Sequence, residues 1–216
     1  GVTMTSGQYA GGLFGVLKNG SEGATENHAI TITSGTDENK VDVSSSASGV
    51  GNYGGLIGMY EANQLASSLD LHDLQITSIH SGNARSSYSG VIAEVAGKSY
   101  VKVNDLTVSA DQNATNCVYF GGITAKTADK ASGFFDIKNV KISGNSNSNN
   151  KVIADGASGG LIGKMGDGVL RLSGKTDLSG IQPGEENSRY GQLVGNRGAA
   201  LIYAVGTGSS TNGTGW

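Results

Sequence analysis

Residues 53–58 read Y-G-G-L-I-G, and the phrase comes back along the whole chain. Upstream it is A-G-G-L-F-G at 10–15. Downstream it is Y-S-G-V-I-A at 88–93, F-G-G-I-T-A at 120–125, S-G-G-L-I-G at 158–163 and Y-G-Q-L-V-G at 190–195. The large apolar residue after the glycines is Leu13, Leu56, Val91, Ile123, Leu161 and Leu193 in turn, at intervals of 43, 35, 32, 38 and 32 residues. Self-similarity at such a period marks a stacked architecture, in which each unit covers its apolar surface only against its neighbours.

A second phrase follows the first. It reads L-D-L-H-D-L-Q-I-T-S at 69–78, V-K-V-N-D-L-T-V-S-A at 101–110 and F-D-I-K-N-V-K-I-S-G at 135–144. The first repeat carries A-I-T-I-T-S-G (29–35) and the fifth L-R-L-S-G-K-T-D-L-S-G (170–180). Alternation of apolar and polar residues is the signature of a strand with one buried face. The alternation slips by one residue at His72-Asp73, Asn104-Asp105 and Lys138-Asn139. A slip of one would turn every following side chain to the wrong face unless the chain bends there, and Asp and Asn tolerate the left-handed conformation that such a corner needs. Each repeat therefore supplies strand, corner, strand. Stacking puts equivalent residues about 4.8 Å apart and predicts a core ladder of Ile32, Ile76, Val108, Ile142 and Leu178. The matching outward column is Thr31, Gln75, Thr107, Lys141 and Asp177, too mixed for a flat threonine array. Helical periodicity is confined to one turn, 61–68. The polar stretches 81–87, 111–116 and 145–150 read as loops of varying length.

The residue after each anchor (Phe14, Ile57, Ile92, Thr124, Ile162, Val194) is mostly apolar too, although a straight strand would point it outward. A small residue comes next at Gly15, Gly58, Ala93, Ala125, Gly163 and Gly195. Either a sharp bend turns both apolar side chains inward, or an outer apolar stripe is covered by a loop or partner; the small residues favour the bend.

Composition narrows the function. Glycine supplies 36 of 216 residues, more than double the usual ~7%. Proline occurs once, at Pro183, and charged residues make up only 15%. A net charge of −3 with no basic stripe gives nucleic-acid binding no electrostatic source. No apolar run approaches the ~20 residues that a membrane-spanning helix needs. The chain begins mid-phrase at Gly1-Val2-Thr3 and reads as one domain, residues 1–216, cut from a longer protein. The single cysteine, Cys117, forms no internal disulfide and reads as a small buried residue.

The search for chemistry finds little. His28, His72 and His80 lack metal-ligand spacing, so no metal or cofactor is expected. Asp70 with Asp73, and Asp37 with Glu38, read as solvated loop carboxylates. The string G-A-S-G-G at 156–160 would nominate Ser158 as a nucleophile, but it merely opens the fifth repeat instead of joining a strand to a helix. The corner column Asp73, Asp105, Asn139 would supply the acids of a solenoid enzyme, though turn geometry already accounts for it. Glu185-Glu186 and Asp129 lie far apart in repeat phase. The column before the glycines is aromatic in four repeats: Tyr53, Tyr88, Phe120 and Tyr190. Buried, it closes a corner of the coil; exposed, it stacks on sugar rings, and these four are the candidate ligand-binding residues.

The recurring G-G-[LVI]-[IVF]-[GA] phrase, with its strand pair downstream, resembles the GLUG repeat of bacterial surface and secreted proteins, among them immunoglobulin-A peptidases and adhesin-like giants. The resemblance runs from Tyr9 to about Gly206. It departs at Ser89 and Gln192 in the glycine slots, at Ala93 and Ala125 for the last glycine, and at Thr124 in the apolar slot. It implies a β-solenoid segment at the cell surface and carries no catalytic residues of its own. The expectation is an all-β, right-handed parallel β-helix of about six glycine-rich repeats of 32–43 residues. Its expected role is a non-enzymatic structural or adhesive module, extracellular or at the cell surface, binding a host or matrix glycan or protein and associating end to end. The alternative is a carbohydrate-active β-helix enzyme, lyase or hydrolase.

Overall fold

The computed structural model describes residues 2–5, 7–20, 28–34, 41–80, 87–110, 117–128, 132–144, 151–152, 154–178, 182–183, 190–191, 193–197 and 201–204. The expectations placed on 37–38, 81–86, 111–116, 129, 145–150, 185–186 and the tail from 205 fall outside that set. The described residues form an all-β parallel solenoid without a helix. Three large sheets run along it, beside a two-stranded pair formed by Lys151–Val152 and Gln182–Pro183. Sheet A takes the strands before the central glycines: Gly7–Gly11, Val50–Gly54, Ser87–Ser89, Cys117–Gly121, Ala154–Gly159 and Tyr190–Gly191, stacked in chain order. Sheet B takes those just after: Phe14–Asn19, Ile57–Ala62, Ile92–Gly97, Thr124–Thr127, Ile162–Met165 and Val194–Arg197. Sheet C collects the second phrases, including the long strands Tyr100–Ala110, Ser132–Gly144 and Asp167–Asp177. Each strand pairs in parallel with its counterpart one repeat away, as Tyr53 with Tyr88 and Ile57 with Ile92.

Between sheets A and B the chain turns at the glycines, and the turn stacks like the strands do. The Leu56 and Ile57 amides both donate to the Val91 carbonyl, at 3.0 and 2.9 Å, and the Ile123 and Thr124 amides both donate to Leu161. The bend faces both apolar columns inward, as expected: Leu56, Val91, Ile123 and Leu161 are fully buried, and so are Ile57, Ile92, Thr124 and Ile162. Each such Leu or Ile removed from water contributes about 1.5–3 kcal/mol. At several of these glycines the close stacking leaves no room for a side chain. A Cβ on Gly54 would strike the carbonyls of Ile57 and Val91, and one on Gly122 would strike the Gly160 carbonyl and the side chain of Ile142.

The slips in the alternation are left-handed residues. Asp73, Asp105 and Asn139, with φ of 56°, 54° and 52°, are the positive-φ non-glycine residues of the described chain. They do not end a strand in each case. The strands through Asp105 and Asn139 continue, and the register steps from Asn104↔Lys138 to Leu106↔Val140. Leu69, Leu71, Leu74 and Ile76 all face the core, as do Val101, Val103, Leu106 and Val108. One left-handed residue thus restores the buried face after the slip. In the fifth repeat Gly174 (φ 66°) plays that part. There two residues, Gly174 and Lys175, oppose Asn139, which is a β-bulge. The Lys175 amide donates to Asn139 Oδ1 at 3.1 Å.

Two expectations need correction. Ile76, Val108 and Ile142 are in register, but Ile32 pairs with Leu71, and Val43 stands beside Ile76. Likewise Thr31 pairs with Asp70, and Asp42 stands beside Gln75. The first repeat splits its long strand into Ala29–Thr33 and Val41–Ala47, so A-I-T-I-T supplies the first arm rather than the second. The helical turn expected over 61–68 is instead a strand end and a tight turn, closed by the Ser67 amide on the Gln64 carbonyl at 3.1 Å. Pairing of Glu61 with Ala96 and Ala62 with Gly97 holds its start in sheet B.

Candidate functional site

The aromatic column expected to bind a ligand lies inside the solenoid. Tyr53, Tyr88 and Phe120 are each 0% exposed. The Tyr53 and Tyr88 rings are stacked with centroids 5.6 Å apart, and Tyr88 meets Phe120 at 5.4 Å with a 58° tilt. Tyr190 is in register with Ser158, the next member of the column; its side chain falls outside the described set. A ring enclosed on all sides has no face to offer a sugar, so the stacking platform expected at Tyr53, Tyr88 and Phe120 is corrected to an interior ladder. Ser158 is likewise fully buried, within a strand rather than on a turn.

The ladder's polar ends are matched one by one. Tyr53 Oη and Ser45 Oγ are hydrogen-bonded at 2.8 Å. Tyr88 donates to the Ser78 carbonyl at 3.0 Å and shares a 3.0 Å bond with Ser78 Oγ. The residue in register with Ser45 and Ser78 one repeat on is Ala110, just where Phe120 has no hydroxyl. Burial pushes the Tyr53 phenol up to about 12, with the Ser45 bond pulling the other way.

The chemistry-bearing side chains stand on the outer face of sheet C. At the line of left-handed residues the face encloses a cleft of about 300 Å³, lined by Asp105, Thr107, Asn139, Lys141, Lys175 and Asp177 among others. Asp73 Oδ2 lies 2.9 Å from His72 Nδ1. Asp70, expected in a solvated loop, is on a strand and faces Lys102 at 3.4 Å.

Beside this line runs a second aromatic pair that the column reading missed. Tyr100 and Phe134 are in register, half-buried and edge to face at 5.0 Å. Lys102 Nζ sits 5.1 Å from the Tyr100 centroid, and the Arg171 guanidinium carbon 4.9 Å from that of Phe134. The Tyr100 hydroxyl reaches Asp136 Oδ2 at 3.4 Å. Burial, and then the Asp136 charge, raise its pKa. The next outward column, two residues along the strands, is Asp70, Lys102, Asp136 and Arg171, which alternates in charge. The signal was available: with Val101 and Val103 inward, alternation points Tyr100, Lys102 and Asn104 outward.

A smaller cluster spans sheets A and B. Glu94, 8% exposed, accepts from the Tyr9 hydroxyl at 3.1 Å and pairs with Lys126 at 3.1 Å. Burial and the Glu94 charge raise the Tyr9 pKa. No group of three or more His, Cys, Asp or Glu placed to hold a metal occurs among the described residues.

No protein-family model matches the chain, and neither a curated protein nor a solved structure does.

Proposed function

We propose that this chain is a non-enzymatic structural and adhesive module of a bacterial cell-surface or secreted protein, acting outside the cell. In this reading it is a right-handed β-helix of about six GLUG-like repeats, associating end to end and presenting its outer face to a host or matrix glycan or protein. The strong preference of parallel strand connections for the right hand supports the handedness, and the six-stranded series of sheets A and B support the repeat number.

One observation carries the functional reading: the interior repeats and the outside does not. Inward positions keep their chemistry from repeat to repeat, as in Leu56, Val91, Ile123 and Leu161. The outward column of sheet C changes at every step through Asp70, Lys102, Asp136 and Arg171. Stacking needs only the inward set, which leaves the outward set free for recognition. The acids at the left-handed positions are accounted for by the backbone they allow.

Display tests the reading. Fused to an outer-membrane anchor on a non-adherent bacterium, the chain is expected to raise attachment to glycan-coated or protein-coated surfaces above that of the anchor alone. Attachment equal to the anchor's on every surface, with the chain folded and exposed, would refute the adhesive role. A carbohydrate-active enzyme is the second reading, favoured by the cleft that gathers Asp105 and Asp177 with Lys141 and Lys175. Release of oligosaccharides from a polysaccharide panel, abolished by Asp105→Asn with Asp177→Asn, would establish it instead.

A further inference from the structure

The cleft on sheet C holds more hydrogen-bond donors than the described chain uses. It forms where three neighbouring strands pass the line of left-handed residues. Asp105 and Thr107 come from Tyr100–Ala110, Asn139 and Lys141 from Ser132–Gly144, and Lys175 and Asp177 from Asp167–Asp177. Thr107, Lys141 and Asp177 are in register, so the cleft runs along the stack over two coil steps, about 10 Å. Lys141 and Lys175 are exposed, and among the described residues neither forms an ion pair. Each ammonium carries three donors. Asn139 accepts from the Lys175 amide through Oδ1 at 3.1 Å, which leaves the Nδ2 donor as the other end of that side chain. Asp105 and Asp177 each have a partner already, but an ionised carboxylate has lone pairs for more than one.

That lining defines a ligand. Two ammoniums on adjacent strands call for an acidic group, and the carboxylates and the Thr107 hydroxyl beside them accept from hydroxyls. A uronic acid carries both on one small ring. The volume, about 300 Å³, is at the lower end of ligand pockets, which run from roughly 300 to 1,000 Å³. A nucleic acid bears a charge at every step and needs cations in excess, whereas here two cations stand among two acids. An acidic peptide would bring carboxylates to Asp105 and Asp177 without hydroxyls to offset them. The net charge of −3 adds no general attraction for polyanions, so affinity for one has to come from the lysine pair.

We infer that the cleft between Asp105 and Asp177 binds an acidic polysaccharide. The carboxylate of a uronic acid residue sits between the Lys141 and Lys175 ammoniums, and its ring hydroxyls donate to Asp105, Asp177 and Thr107. This rests on the adhesive reading above and names the ligand class for it.

The test is titration calorimetry of the purified protein with oligogalacturonate, its neutral methyl ester and a sulfated dextran. Lys141→Ala and Lys175→Ala are each expected to weaken oligogalacturonate binding roughly tenfold. Lys141→Arg and Lys175→Arg should keep most of it. Lys98→Ala, which removes an exposed lysine outside the cleft, should leave it unchanged. The methyl ester keeps the hydroxyls without the charge and should bind at least about tenfold more weakly than the acid. Circular dichroism and urea midpoints establish that each variant is folded, and the arginine pair keeps the test decisive should an alanine variant unfold. Unchanged affinity in folded Lys141→Ala with Lys175→Ala, or equal binding of acid and ester, overturns the site. So does tighter binding of sulfated dextran that Lys98→Ala weakens as much as Lys141→Ala does, since that marks general attraction for polyanions. A folded parent that binds no oligogalacturonate overturns it as well. Attachment of displaying cells to neutral-glycan or protein-coated surfaces would in that case leave the adhesive reading standing without its acidic sugar.

Discussion

Phe120 and Ala110 are the most informative pair at the scale of single residues. In the two preceding repeats a tyrosine hydroxyl meets a serine, Tyr53 with Ser45 and Tyr88 with Ser78. At Phe120 the hydroxyl is gone from the ring, and the register position of the serine holds Ala110. The substitutions belong together, because either alone would leave a buried hydroxyl short of a partner. Phe120→Tyr is therefore expected to lower unfolding stability by about 1–3 kcal/mol. Adding Ala110→Ser should recover a good part of it, and urea denaturation of the four proteins of the cycle gives the coupling directly. Tyr53 also confers a pH dependence. Its phenol titrates near 12 in the folded protein against 10.0 for the ordinary group, chiefly because of burial. The folded state thus keeps a proton that the unfolded chain has already released. The contribution is whole below pH 10 and is lost as pH climbs from 10 through 12. Denaturation midpoints measured from pH 9 to 12 should fall less steeply in Tyr53→Phe than in the parent.

At the scale of the element, the left-handed residue is the device that lets an apolar–polar alternation change phase without losing its buried face. Asp105→Gly should cost no more than about 1 kcal/mol, whereas Asp105→Val, with its branched Cβ at φ 54°, should cost at least about 1–2 kcal/mol. Thermal unfolding of the two variants separates them, and equal losses would mean that the carboxylate rather than the backbone matters there. These positions were legible in the sequence because a phase slip has few physical remedies, and Asx at the slip names one of them. The bend at the glycines was legible for the same reason: two successive apolar residues go inside together only if the chain turns. The first repeat was not legible in the same way. Its two arms are separated by residues 34–40, and nothing local to A-I-T-I-T tells which arm it is; only pairing with Leu71 decides. The column Tyr53, Tyr88 and Phe120 recurs because it stacks inside. Residues that recur are those that stack inside, and Tyr100 with Phe134 stand outside the recurring phrase.

At the scale of the whole molecule, the order of strands in each sheet follows the order of repeats, so every coil leans only on its two neighbours. Among the described residues the first coil has one neighbouring coil. Leu13 and Phe14, in the columns of the fully buried Leu56 and Ile57, are 47% and 39% exposed, and Val16 is 46% exposed. Among the described residues, Gly7–Gly11 and Phe14–Asn19 are edge strands of sheets A and B, each with a single partner. Open edges joined to an apolar face favour further strand pairing. The protein is therefore expected to show a light-scattering mass that rises with concentration, and Leu13→Asp with Phe14→Asp should hold it at the monomer mass. A parent that stays monomeric at millimolar concentration would mean that this end is already covered. The nearest-neighbour stacking also decides how the molecule answers a pull. Tension along the axis loads all the hydrogen bonds of one inter-coil boundary at once, while the boundaries follow one another in series. The weakest boundary opens first and frees one repeat, about 110–150 Å of extended chain, while the remaining coils hold. A tether built this way lengthens by increments and closes again when the load drops, a shock absorber whose step length is written in the spacing of its glycines.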